Sequence, residues 1–318
     1  MQIWMSCSEF MENSEEEIIV MEIHQLVYFV AVAETGGFSR AAERCNVAQP
    51  SLSQQIIKLE REMGKQLFDR LGRTVVLTEA GQMLLPRARA ILSEIQDIDR
   101  VLKQDIYTEH GHLSVGFIPT IAPFLLPGVL KGFSDKFPKA ELSVYENLTE
   151  HLVSDLIGGK LEVGIMSLPI HNKMIATDEL FTEPLLVAAS QHHDPIAKTT
   201  IKVKELEDFP FIALNEVHCF GEQVQTFCYQ HNVNVDIVCH TSQLSTVHSC
   251  IELGLGVSLI PQMMASSDTS GLIKYRPVSD NEPRRKIVAA YHSGRHRSFL
   301  TQQFIDLVRE EYYRLVDE

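Results

Sequence analysis

The chain has 318 residues, a formal net charge of −14, 45% hydrophobic and 22% charged residues, and six cysteines. Its length allows two domains beside a small module, and its hydrophobic content fills an ordinary globular core. No apolar run reaches the roughly 18 residues that a membrane-spanning helix needs, so a helical membrane protein is excluded.

The first twenty residues carry Glu9, Glu12, Glu15, Glu16 and Glu17 with no Lys or Arg. That is the opposite of a signal peptide's basic start. Residues 1–20 therefore read as a disordered acidic extension, or as the product of start-codon choice, since the patterned chain begins near Met21. A cytoplasmic location is expected.

A first helix places Leu26, Phe29, Val30 and Ala33 on one side. From Phe38 to Arg73 the pattern is two short helices joined by a tight turn. On the second, Leu52, Ile56, Leu59 and Met63 recur at spacings of 4, 3 and 4, a single apolar stripe. Pro50, Ser51, Gln54, Lys58 and Arg61 then point outward. Between Arg40 and Leu77, seven cations (Arg40, Arg44, Lys58, Arg61, Lys65, Arg70, Arg73) outnumber Glu43, Glu60, Glu62 and Asp69. A basic island in an acidic chain suits phosphate contact. Small hydrogen-bonding side chains at a helix start, with cations a turn or two later, suit a helix lying in a DNA major groove. The β-branched run TVVLT after Arg73 reads as a wing strand.

The stretch NVAQPSLSQQIIKLEREMGKQLFDR followed by VVLTEAG resembles, without a gap, the winged helix-turn-helix of LysR-type transcriptional regulators. The resemblance implies that Gln49, Pro50, Ser51, Ser53 and Gln54 meet bases of double-stranded DNA, with Lys58 on the same face, and that Arg70 and Arg73 hold the backbone. Ala48 departs from the family's Ser at that position. A lost N-cap hydroxyl costs about 1 kcal/mol of helix stability.

From Thr78 one long helix follows. Leu84, Ala88, Ile91, Ile95, Ile98 and Leu102 form a heptad seam at spacings of 4, 3, 4, 3 and 4. A two-fold dimer joined there presents two recognition helices to a pseudo-palindromic site; the competing reading is a helix lying on its own domain. The domains expected are 21–78 (winged helix-turn-helix), 79–107 (linker and dimerisation helix) and 108–318 (effector).

Beyond Tyr107 the pattern becomes α/β. LSVGFI, ELSVYE, LEVGIM, PLLVAA, PFIAL, VDIVCH, GVSLI and KIVAAY read as buried strands, alternating with helical stretches such as Pro127–Phe137 and Glu150–Gly158. A last amphipathic helix runs through Phe299, Phe304, Leu307 and Val308. Alternation of this kind predicts mostly parallel sheets with crossover helices. The family resemblance implies two periplasmic-binding-protein-like α/β lobes with ligand space between them. Gly254-Leu-Gly256 lacks a third glycine and precedes a strand, so it is not a nucleotide fingerprint.

The cysteines are Cys7, Cys45, Cys219, Cys228, Cys239 and Cys250. Their spread matches no secreted disulfide framework. Cys45 and Cys250 read as buried, and Cys239 ends a strand. Cys219 falls at a helix start, where backbone amides and the dipole stabilise a thiolate, and His218 beside it supplies a proton or a positive charge. Cys228 shares an apolar face with Val224 and Phe227. The intervening helix spans about 13.5 Å at 1.5 Å per residue. A disulfide wants Cα atoms within roughly 7 Å, so joining the two cysteines requires the segment to unwind.

The Cys-x8-Cys spacing, His218, the Phe227-Cys228 pair, Ile118-Pro119-Thr120, Leu125-Leu126-Pro127 and Glu282-Pro283-Arg284-Arg285 together resemble the hydrogen-peroxide-sensing members of the LysR-type family, from Met21 to about Tyr313. That resemblance implies a peroxidatic Cys219 and a resolving Cys228, with Thr120, Thr149, His218 and Arg285 around the peroxide. It implies no cofactor. Its expected partners are DNA, RNA polymerase, a thiol reductant such as glutaredoxin, and further copies of the chain in a homodimer or homotetramer. Phe220-Gly221-Glu222 departs from the apolar residue, Arg and Asp of those proteins. The missing Arg is expected to raise the Cys219 pKa, and Gly221 to loosen the helix start.

Three other readings stand beside this one. The first is a metabolite-responsive LysR-type regulator with structural cysteines. The second is a metal site drawn from His218, Cys219, Cys228, His231, Cys239 and His240, whose spacing mostly misses the tight pattern of zinc sites. The third is an enzyme, for which no Ser-His-Asp order, phosphate loop or paired-carboxylate signal is present.

Overall fold

Apolar periodicity near the amino end becomes three helices, α1 (Ile23–Thr35), α2 (Phe38–Arg44) and α3 (Gln49–Met63), followed by the hairpin strands β1 (Phe68–Leu71) and β2 (Thr74–Leu77). This computed structural model describes residues 21–71, 74–103, 110–192, 194–196, 198–215 and 218–317; the expectations for 1–20 and for Arg73 lie outside them. The turn between α2 and α3 holds Asn46 at φ 54°, a left-handed conformation that Asn tolerates better than most residues. In the wing, Phe68 pairs antiparallel with Leu77. Leu52, Ile56 and Leu59 of the predicted stripe are fully buried, packed with Leu26, Phe29, Val32 and Ala41.

Helix α4 (Glu79–Lys103) continues from the wing. Its first two seam positions, Leu84 and Ala88, are buried in the core of the winged module itself. At these two positions the heptad pattern therefore serves the chain's own domain, which corrects their assignment to a dimer seam, while Ile91 of the same pattern is 43% exposed. The α4 backbone carries on through Ile98 and Leu102, whose side chains lie outside the description. Contacts divide the chain into two compact units between Ile95 and Gln96.

The second unit is two lobes on one long strand. In the first lobe β3 (Gly111–Phe117) lies parallel to β4 (Ala140–Glu146) and β5 (Val163–Ser167), with helices α5 (Ala122–Lys136) and α6 (Thr149–Ile157) as crossovers. Strand β6 (Ile175–Ser190) is long enough to serve both lobes. A short 3-10 turn, Val203–Asp208, then leads to the elements of the second lobe: parallel β7 (Pro210–Leu214) and β8 (Asp236–Thr241), helices α7 (Cys219–Gln230), α8 (Leu244–Glu252) and α9 (Gln262–Ser267), and strands β9 (Ser258–Pro261) and β10 (Ile273–Arg276). Strand β11 (Arg284–His292) returns to the first lobe, and α10 (Phe299–Asp317) buries Phe304 against Phe117 and Phe133.

From Ile175 to Pro184, β6 pairs with β11; from Leu185 to Ser190 it pairs with β9 and β10, and all of these pairings are antiparallel. The sheets are thus mixed, not mostly parallel. The alternation of strands and helices holds as far as β5 and again from parallel β7 and β8 to β9; the antiparallel pairings are those that β6 makes with β9, β10 and β11, and β5 with β11, which return to the sheet from much later in the chain. Each lobe keeps its own core, one built on Leu113, Phe117, Ile165 and Phe304, the other on Phe211, Ile212, Val247 and Leu259. Among the described residues no helix is long and apolar enough to cross a membrane.

Candidate functional site

On the winged module, Gln49, Pro50, Ser51 and Gln54 are exposed along the start of α3, and Ser53 is half-buried. Ala48 is the N-cap and makes no side-chain cap hydrogen bond. Lys58 stands differently from the sequence reading: its ammonium is 2.5 Å from Glu22 and 3.8 Å from Glu62. A cation already paired with two carboxylates is a weak phosphate contact, so Arg61 and Lys65, both exposed, are the freer charges on this face. Arg70 lies on β1, opposite Val75.

In the second unit the chain leaves β7, and His218 caps α7 so that Cys219 is its first helical residue. A Cβ at position 221 would stand 2.5 Å from the carbonyl oxygens of both Leu214 and Asn215. Glycine therefore lets the first turn of α7 press against the end of β7, the reverse of the loosening expected from the sequence. Phe220 is buried in the second lobe, with the Arg285 guanidinium 5.1 Å from its ring centroid.

Arg285 is the hub of this region. Its Nε donates to Glu183 at 2.5 Å and its Nη atoms donate to the Thr120 hydroxyl at 3.0 Å and the Thr120 carbonyl at 3.3 Å. Both side chains of the Arg285–Glu183 pair are fully buried. A further tie was not read from the sequence: the Gln223 amide on α7 donates to the Ser167 hydroxyl at 2.8 Å and to the Leu168 carbonyl at 2.5 Å, fastening α7 to the end of β5. A glutamine on a helix's polar face gives no sequence signal for such a role.

The two cysteines of α7 face different lobes. Cys219 is half-buried against the core of the first lobe, and Cys228 is 5% exposed within the core of the second. Burial pushes the Cys228 thiol up to about 11. It also pushes Cys219 up, outweighing the Thr149 hydroxyl, the Arg285 charge and the Phe220 N–H, which favour the thiolate; Glu222 works against it. The helix-start effect expected from the sequence is present but is not the larger one.

Beside Cys219 lies a cavity of about 530 Å³ lined by Thr149, Glu150, His151, Ile170, His171 and Glu222. The Thr149 hydroxyl is buried, faces the sulfur, and has no other hydrogen-bond partner among the described residues. Of the expected pocket residues, Thr149 and Arg285 thus accompany Cys219. Thr120 and His218 line instead the neighbouring cleft of about 800 Å³ between the lobes, with Phe124, Ser245, His248 and Asp268. Arg285, 66 positions further along the chain, is a cation that favours the Cys219 thiolate. Among the described residues no three His, Cys, Asp or Glu side chains form a group fit for a metal ion.

Residues 23–82 match the bacterial regulatory helix-turn-helix proteins of the lysR family, and residues 108–312 match the LysR substrate binding domain. The DNA-binding transcriptional dual regulator OxyR of Escherichia coli is 33% identical over 91% of this chain and 95% of its own. A full-length OxyR of Pseudomonas aeruginosa carrying a cysteine-to-aspartate change superposes with a TM-score of 0.76 at 32% identity, covering 92% of this chain and 95% of that one. A cysteine-to-serine OxyR of Corynebacterium glutamicum with hydrogen peroxide bound does so at 0.62 and 29%, covering 93% and 96%. The chain belongs to the LysR family of transcriptional regulators, with an amino-terminal DNA-binding helix-turn-helix and a two-lobed α/β regulatory domain.

Proposed function

We propose that this protein is a DNA-binding transcriptional regulator that senses hydrogen peroxide through a reversible Cys219–Cys228 disulfide. The observation that carries the reading is the sulfur of Cys219 beside an accessible cavity, with the otherwise unpartnered Thr149 hydroxyl directed at it and the Arg285 charge near enough to favour its thiolate. A peroxide held there accepts a hydrogen bond from Thr149. The Cys219 thiolate attacks one peroxide oxygen, the O–O bond breaks, and hydroxide leaves, giving the sulfenic acid. The Cys228 thiolate then attacks that sulfur, the S–O bond breaks, and hydroxide leaves as the disulfide forms. Two electrons pass from the thiols to the peroxide.

Because each cysteine is held by a different lobe, the second step needs the first turns of α7 to unwind and Gln223 to release the end of β5. The lobes then repack, and the paired winged modules of a homodimer or homotetramer change the half-site spacing they favour. Gln49, Pro50, Ser51, Ser53 and Gln54 read the bases, RNA polymerase responds, and a thiol reductant such as glutaredoxin resets the switch. Antioxidant genes are the expected targets, and the protein is expected to work in the cytoplasm without turning over a substrate.

Peptide mapping of peroxide-treated protein is expected to yield a Cys219–Cys228 link. Cys219→Ser is expected to abolish peroxide-dependent transcription while leaving DNA binding intact; a full response in that variant overturns the reading. The interlobe cleft supports a second reading, a small metabolite bound among Thr120, His218, Ser245 and Asp268. Peroxide-independent transcription that responds to such a compound would favour it.

A further inference from the structure

Hydrogen peroxide contains no carbon, yet part of the cavity beside Cys219 is walled with it. Three pieces of chain meet there: the start of α6 with Leu148 and Val153, the segment after β5 with Pro169 and Ile170, and the start of α7, whose first residue is Cys219. Val153 and Ile170 are half-buried and pack on the core of the first lobe, as Cys219 does. The apolar wall and the reactive sulfur are thus held by the same core.

The volume is also out of proportion to so small an oxidant. A water molecule's share of its liquid is about 30 Å³, so hydrogen peroxide with its two oxygens needs about 60 Å³. The cavity holds about 530 Å³. Small-molecule sites run from roughly 300 to 1,000 Å³, and an apolar cavity of about 150 Å³ already accommodates benzene. There is room for a hydroperoxide group together with a branched alkyl or single-ring aryl substituent. Glu150 and Glu222, both exposed, are the carboxylates of the lining, and no Lys or Arg is part of it. A substituent bearing a carboxylate meets like charge there, whereas a neutral one does not.

We propose, resting on the peroxide-sensing reading of Cys219, that this protein also senses neutral alkyl and aryl hydroperoxides, whose organic group seats on the wall of Leu148, Val153, Pro169 and Ile170. Burial of that group against the wall gives a favourable transfer energy that hydrogen peroxide has no carbon to gain. The Cys219 thiolate attacks the terminal, hydrogen-bearing oxygen of the hydroperoxide. The S–O bond forms, the O–O bond breaks, and its electron pair leaves on the inner oxygen as an alkoxide, which takes a proton from water and departs as the alcohol. Cys219 is left as the sulfenic acid, and Cys228 closes the disulfide as it does after hydrogen peroxide. Two electrons pass from the thiols to the hydroperoxide.

The test mixes the reduced full chain with hydrogen peroxide, tert-butyl hydroperoxide or cumene hydroperoxide. Timed quenching with N-ethylmaleimide and peptide mass then read the loss of free Cys219. The second-order rates with both organic hydroperoxides are expected within about tenfold of that with hydrogen peroxide, and a larger deficit overturns the proposal. Val153→Phe, which fills the wall, should lower the ratio of the cumene hydroperoxide rate to the hydrogen peroxide rate by about tenfold or more, the scale on which a pocket discriminates by shape. Val153→Ala should not lower it. A ratio unmoved by Val153→Phe also overturns the proposal, and taking the ratio within each variant cancels any general loss of reactivity. Cys219 that reacts with hydrogen peroxide alone defeats this proposal and spares the reading beneath it; Cys219 that reacts with none of the three defeats both.

Discussion

Cys219 and Cys228 are the first and tenth residues of one helix, yet Cys219 packs against the hydrophobic core of one lobe while Cys228 lies within the core of the other. A disulfide between them therefore cannot close as a staple on an unchanged fold. It needs Cys228 drawn out of its packing and the helix between them opened. Their reactivities follow from their surroundings. A thiol at about 11 is ionised in only about one molecule in ten thousand at pH 7, and Cys228 is buried besides. Under native conditions iodoacetamide should label Cys219 at least tenfold faster than Cys228, read by timed quenching and peptide mass. Equal rates would show that the helix opens without oxidation.

The pH dependence of oxidation follows from the direction of the Cys219 shift. Its thiol is raised by burial, so the reactive thiolate is scarce at neutral pH and grows with pH up to the folded-state pKa. The rate of peroxide consumption by the reduced protein, followed by stopped flow, should rise with pH from neutral into the alkaline range, as thiolate fraction does below a pKa. A plateau reached below pH 7 would mean that Arg285 and Thr149 outweigh burial.

Gln223 is the tether that holds α7 to the first lobe, and its two hydrogen bonds must break before Cys228 reaches Cys219. Gln223→Ala should lower the stability of the reduced protein by about 1 kcal/mol, the net worth of such a bond. It should also raise the rate of disulfide closure after sulfenic acid formation several-fold, leaving the first oxidation step unchanged. Single-turnover kinetics with a sulfenic acid trap separates the two steps. A slower closure would mean that Gln223 guides the refolding instead of opposing it.

Much of the fold is legible in the sequence, and the reasons differ from element to element. The stripe Leu52, Ile56, Leu59 fixes α3 because a 3.6-residue period has one way to bury itself. Short β-branched runs such as PFIAL announce buried strands equally well. The heptad positions Leu84 and Ala88 misled because an apolar seam does not say which surface covers it; here it is the chain's own winged module. The site was half legible. Chain neighbours suggested His218 as the charge near Cys219, whereas Arg285 reaches that place only because β11 pairs with β6. Gly221 read as a weak point in a helix, yet it is the one residue small enough for the contact with Leu214 and Asn215.

The N-cap of α3 offers a gain in stability. Ala48 has the extended backbone of a cap, φ −69° and ψ 134°, but no side-chain oxygen to meet the free amides of the first turn. Ala48→Ser should supply it and stabilise the winged module by about 1 kcal/mol. The unfolding midpoint of that unit should rise, followed by circular dichroism, with no change in the regulatory unit. An unchanged midpoint would mean that Pro50 already sets the helix start as firmly as a cap does.

The Arg285–Glu183 pair is fully buried, so its two charges depend on each other. Glu183 accepts from Arg285 and from the Met263 N–H. Glu183→Ala strands a guanidinium in the core and should cost about 3–5 kcal/mol, the usual penalty for breaking a buried pair from one side. Glu183→Gln keeps an acceptor for Arg285 and should cost less. The loss should reach function through position. Arg285 also holds Thr120 and lies over the ring of Phe220, so an Arg285 that turns away to find another partner frees the start of α7. Both variants should therefore oxidise at altered rates in the order of their destabilisation, measured by denaturant unfolding alongside peroxide kinetics. Glu183→Ala matching the parent in both measurements would remove Arg285 as the link between the lobes and the cysteine.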